Sequence, residues 1–225
     1  MEKDRNETER LKQKIQSLEK ENNELKQIIH KAPIPIFVLD KDHKIIHFNE
    51  ALEELSGLNS RDMIGTMEQW KAFYKSARPV MADLIIDRSS DEQIVEYYGN
   101  KYDRSARSRG RFAATDFFKE LSDEGKWLYF TAATFLDDES NIAGAVETLE
   151  DVTEEKIAEK RTRELYRMYR DILEFLPYPI VVYDSVGFVS YINPSFSDTF
   201  GWDLEEVQGK IIPFVPDFLA DETSE

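Results

Sequence analysis

Five side chains between residues 70 and 129 have types that could hold a small molecule. Trp70 and Tyr74, with Phe73 beside them and Trp127, Tyr129 and Phe130 opposite, could wall an apolar pocket. Arg78 and Asp83 flank the apolar stretch VMADLII and could contact a ligand or pair with each other. The competing reading is that these aromatic residues simply fill a core. The run DRSARSRGR at 103–111 gathers four arginines, which could receive an anion or an acidic partner or form a solvated loop.

Other chemistries lack the residues they need. The three histidines, His30, His43 and His47, stand at the end of a helical segment, in a turn and on a strand, and no two share ligand spacing. Structural or solvated roles are expected for all three, and no metal site. No nucleophile–base arrangement and no glycine-rich phosphate loop is present, so no catalytic residue is assigned and the chain is not expected to be an enzyme. With no cysteine, it offers no disulfide, thiolate ligand or sulfur attachment point.

The charge narrows the partners. Twenty-nine basic against 45 acidic residues leave a formal charge of −16 over 225 residues, which argues against nucleic acid and against an anionic membrane surface. From Asp171 onward the only basic residue is Lys210. No apolar run reaches transmembrane length and the N-terminus lacks a signal-peptide core, so a cytoplasmic setting is expected.

The elements that would position the pocket residues begin with a helix. Placing Leu11, Leu18 and Leu25 at heptad position d puts Ile15, Asn22 and Ile29 at a. Branched residues at a, leucine at d and a lone Asn at a favour a parallel dimer. Lys14 then faces Glu19 of a second copy, and Glu21 faces Lys26. The alternative is a solvated monomeric helix.

A repeat follows. Residues 33–49, PIPIFVLDKDHKIIHFN, align without a gap on 177–193, PYPIVVYDSVGFVSYIN, and Gly57 and Gly65 then meet Gly201 and Gly209. Each copy reads as strand, Asp-held turn, strand, Asn-capped helix stopped by Gly, then a second short helix. After copy one come a helical stretch at EQWKAFYK, the run ARPVMADLIID, a polar segment through Arg111, and strands at 112–118, 126–136 and 142–151. The expected fold class is α+β: a five-stranded antiparallel sheet with short helices on one face. A long helix, 153–176, carries Leu165, Met168, Ile172 and Phe175 at coiled-coil spacing and leads to copy two.

NEALEELSG, the closing strand IAGAVETLEDVTE and the order of strands and helices resemble a PAS sensory domain. Asp151-Val152-Thr153 resembles the motif that joins the last PAS strand to an outgoing helix, and GTMEQWKAFYKSARPVMADLIID resembles a subgroup found in bacterial sensor histidine kinases. The resemblance implies a coil at 1–31, a PAS domain at 32–152, a signalling helix at 153–176, and at 177–225 the front of a second PAS domain without its last three strands. The chain is therefore expected to be a fragment, with uncovered strand faces in its second copy. A cysteine-linked flavin and a histidine-ligated haem are not expected, and the ligand stays unnamed. The resemblance implies a dimeric sensory input segment acting on an output domain in cis, a histidine kinase first, then a diguanylate cyclase or chemoreceptor. A ligandless dimerisation or interaction module, including one in a transcription regulator, is the alternative.

Overall fold

The computed structural model describes residues 2–103 and 111–212, with side chains from residue 7 onward. The chain divides into two compact units, Met1–Lys156 and Ile157–Glu225. Most of the arginine run at 103–111 lies outside the described residues.

The first unit opens with α1 (Glu2–His30), whose heptad residues Leu11, Ile15, Leu18 and Leu25 are all exposed. β1 (Ile36–Asp40) and β2 (Ile45–Phe48) form a hairpin, followed by α2 (Glu50–Ser56) and α3 (Ser60–Met63). A 3-10 turn (Gln69–Ala72), α4 (Met81–Ile86) and α5 (Asp91–Tyr98) come next. β3 (Phe112–Phe118), β4 (Lys126–Leu136) and β5 (Ile142–Asp151) complete an antiparallel sheet in the order β2-β1-β5-β4-β3. The last three strands occupy the runs expected from the sequence. Because β5 inserts between β1 and β4, the strand that ends the unit lies beside the one that begins it.

Alternation builds the core. Leu128, Phe130 and Ala132 on β4 and Ala145 and Leu149 on β5 turn to one face and meet Phe37, Leu39, Leu52, Met81 and Ile94. Each large side chain removed from water there contributes about 1.5–3 kcal/mol before conformational entropy is subtracted.

Two local expectations change. EQWKAFYK supports only the single 3-10 turn, because Phe73 leaves helical geometry to pack against Phe37 and Phe118. The polar segment before Arg111 contains α5. Ser90 and Gln93 form a capping box at its start, and Ile94 and Tyr98 are buried.

α6 (Thr153–Phe175) starts in the first unit and continues into the second. Beyond it lie β6 (Val181–Tyr183), β7 (Val189–Ile192), α7 (Pro194–Phe200) and α8 (Leu204–Val207). Their small core is Val189, Ile192, Phe196, Val207 and Ile212. β6 and β7 form a two-stranded sheet, and Val182 and Tyr183 are exposed on it, as expected for uncovered strand faces. Among the described residues no helix is long and apolar enough to cross a membrane.

Candidate functional site

The repeat is carried by an asparagine. Asn49, 1% exposed, caps α2 by accepting from Leu52 N, and its Oδ1 also accepts from Ile36 N at 2.8 Å. Its Nδ2 donates to the carbonyls of Ile29, Ala32 and Ile34 at 3.4, 3.2 and 2.8 Å. One side chain thus ties the C-terminal end of α1 to the start of β1 and the start of α2. Asn193, also 1% exposed, repeats this on the aligned partners. It accepts from Ile180 N and Phe196 N, and donates to the carbonyls of Leu173, Leu176 and Tyr178 at 3.1, 3.2 and 2.9 Å. Capping was legible in the sequence; the bonds back to the preceding helix were not, because they depend on the chain folding over itself.

The hairpin turns repeat too. Asp40 Oδ1 accepts from Asp42 N and Lys44 N, and Asp184 Oδ1 from Val186 N and Phe188 N. Those backbone donors, Phe188 N foremost, hold the Asp184 carboxyl below the usual range. In the same turn His43 takes φ 64°, where copy two has Gly187 at 96°. His43 is held in that left-handed conformation by carboxylates on both sides. Nδ1 lies 2.8 Å from Asp83 and Nε2 3.1 Å from Asp87. Burial pulls the His43 pKa down, but the bonds and charges of Asp83 and Asp87 outweigh it and hold the imidazole above its ordinary value.

Asp83 is the hub of this cluster. It also accepts from Gln69 Nε2 at 2.7 Å and from Val80 N at 2.9 Å, so it caps α4 and fixes the helix to the hairpin turn. One residue earlier, Ala82 N donates to Glu147 Oε2 at 2.8 Å. Glu147 is fully enclosed, and burial pushes its pKa up to about 8, against the lowering effect of the Ala82 amide. Alternation on β5 places Glu147 between core-facing Ala145 and Leu149, the one signal in the sequence that could have picked it out.

Tyr74 and Arg78 do come together. The guanidinium lies 4.2 Å from the Tyr74 ring centre, 5.2 Å from Tyr98 and 5.4 Å from Tyr97. Its Nη2 donates to Tyr97 O at 3.3 Å, while its buried Nε has no partner among the described residues. Burial raises the Tyr74 phenol to about 12 and Tyr98 well above its ordinary value, and the two hydroxyls are hydrogen-bonded. Arg78 and Asp83 therefore belong to separate clusters and do not pair. Trp70 is half-buried and packs on the edge of the core.

Tyr129 does not join them. It alternates with buried Leu128 and Phe130, so it lies on the opposite sheet face, as does Trp127, which packs on Phe117. The space bounded by Phe73, Tyr74, Val80, Tyr98, Phe118, Phe130, Glu147 and Leu149 has no room for a water molecule (0 Å³). Among the described residues no group of His, Cys, Asp and Glu could hold a metal ion.

At the far end of the sheet, Asp151 fixes the start of α6. Its Oδ1 accepts from Thr153 N at 3.0 Å, it pairs with Lys126, and Thr153 Oγ1 accepts from Trp127 N at 2.9 Å. Burial pushes the Asp151 carboxyl up, yet Lys126 and Thr153 outweigh it and hold it below the usual range.

Comparison with known proteins agrees with the repeat. A family model described as PAS fold matches residues 23–69 and again 167–218. The chain is 26% identical over 204 residues to a phytochrome of Picea abies, covering 89% of this chain and 17% of that protein. It is 26% identical over 189 residues to the two-component sensor PprA of Pseudomonas aeruginosa, covering 83% and 18%. The PAS domain of Bordetella pertussis BvgS superposes with a TM-score of 0.40 at 14% identity, covering 65% of this chain and 98% of that one. The chain thus spans less than a fifth of these curated relatives.

Proposed function

We propose, from the premise that this chain belongs to the PAS family over residues 23–69 and 167–218, that it is the dimeric input and relay segment of a signalling protein. In this reading α1 pairs in parallel with α1 of a second copy, and α6 carries the state of the first unit onward to an output domain in cis. The output is a bacterial histidine kinase, with a diguanylate cyclase or chemoreceptor next; this segment binds no nucleic acid, performs no catalysis itself and works in the cytoplasm. The observation that carries the reading is the anchoring of α6. Asp151 and Thr153 tie its first residues to Lys126 and Trp127 at the start of β4, so a change in the sheet reaches the helix without passing through a flexible loop. Similarity to the two-component sensor PprA supports the kinase output.

One observation favours the second reading, a ligandless dimerisation and interaction module. The space bounded by Tyr74, Val80, Tyr98, Phe130 and Glu147 has no room for a water molecule, so side chains already fill it without a ligand. On either reading the signal is a shift between two helix arrangements rather than a chemical step.

Two measurements test this. Light scattering should give a dimer for the chain. An Asn22→Leu variant should stay associated but lose its single oligomeric state, since leucine at a no longer fixes register. A monomeric parent overturns the dimer. Native mass spectrometry of the purified chain decides between the readings: a stoichiometric small molecule supports sensing, and a mass equal to protein alone supports the ligandless module.

A further inference from the structure

Asn49 and Asn193 make the same hydrogen bonds to aligned partners, so each preceding helix enters its own unit at the same rotational phase. In α1 that phase has one apolar row, Leu11-Ile15-Leu18-Asn22-Leu25-Ile29. The residues of α6 that align with Asn22, Leu25 and Ile29 are Tyr166, Tyr169 and Leu173. The stronger apolar row of α6 is a different one. Leu165, Met168, Ile172 and Phe175 align with Glu21, Glu24, Ile28 and Lys31 of α1, one residue earlier and so about 100° around the helix. Leu165, Tyr166, Met168, Tyr169, Ile172 and Phe175 are all exposed.

α6 therefore carries two rows competing for one partner, where α1 carries one. We propose that the donor face of Asn193 selects between them: while bonded to Leu173, Leu176 and Tyr178 it presents the Tyr166–Tyr169–Leu173 row to α6 of a second copy, and when released it lets the helix turn to the Leu165–Met168–Ile172–Phe175 row. The occupant is a second copy because α1, entering at the same phase, is complementary to itself through Lys14–Glu19 and Glu21–Lys26. The proposal rests on the dimer reading above and adds the joint that switches it.

The absence of cysteine makes single-cysteine crosslinking clean. Leu18→Cys, Met168→Cys and Tyr169→Cys are each placed in the full chain, alone and with Asn193→Asp. Aspartate keeps an oxygen to accept from Ile180 N and Phe196 N, so β6 and α7 stay supported. It sets a carboxylate oxygen against the three carbonyls that Nδ2 served. In the parent, Tyr169→Cys should crosslink several-fold faster than Met168→Cys, and Asn193→Asp should reverse that order while leaving Leu18→Cys unchanged. If Leu18→Cys does not crosslink, the dimer reading falls and takes the joint with it. If it does, and Asn193→Asp leaves the order of the two α6 positions as it is in the parent, the joint alone is overturned.

Discussion

Glu147 links the stability of the first unit to pH. The folded chain holds its proton up to about pH 8, whereas an ordinary glutamate releases it near 4.5, so between those values the folded state binds more protons. Stability should therefore fall as pH rises from 4.5 to 8 and level off above. His43 acts in the same direction: its raised pKa gives stability that is full below the ordinary imidazole value and lost as pH passes the folded one. In Glu147→Gln the amide oxygen still accepts from Ala82 N, and the slope of melting temperature against pH should flatten across that window. An unchanged slope would show that Glu147 does not set it. At this scale the sequence was only partly readable. Tyr74 and Arg78 meet where the sequence offered Asp83 as the partner of Arg78, and Tyr129 needed strand alternation to be placed on the other face. His43 draws its role from carboxylates 40 and 44 residues away, which no local pattern announces.

Among the elements, β5 is the central strand of the sheet, paired with β1 on one edge and β4 on the other. At Gly144 it runs so close to β1 that an added Cβ would sit 2.1 Å from the Leu39 carbonyl oxygen and 2.6 Å from the Phe135 ring. Gly144→Ala should thus push β1 and β5 apart and cost about 1–3 kcal/mol, read as a lower urea midpoint for the first unit. A midpoint equal to that of the parent would mean the strands separate freely there. Strand positions were the most legible elements, because their alternation and turn residues are local. α5 was missed although Ser90 and Gln93 spell its capping box, since its polar surroundings hid the buried Ile94 and Tyr98. The helix expected at EQWKAFYK lost to aromatic packing, a tertiary preference that outweighs local propensity.

At the scale of the molecule, the two units have separate cores, among the described residues 23 buried around the five-stranded sheet against five around the short hairpin. Ending the chain after Phe175 should leave the first unit's cooperative melting transition in place, because no described residue of its core lies beyond Leu149. Loss of that transition would contradict the division. The repeat itself was legible in the sequence: matching Pro, Asp, Asn and Gly residues are punctuation that any copy of the fold needs. What the repeat could not disclose is the packed interior, which depends on how side chains far apart in sequence fill one another's gaps.

The paired asparagines have one more consequence. All the groups they bind are main-chain amides and carbonyls, which are the same whatever side chain is attached. Ile29 and Leu173, Ala32 and Leu176, Ile34 and Tyr178 can differ without disturbing the socket. Such a fitting is portable: a helix ending in the right register can be exchanged for another, and a unit can be copied downstream and still receive its helix at the same angle.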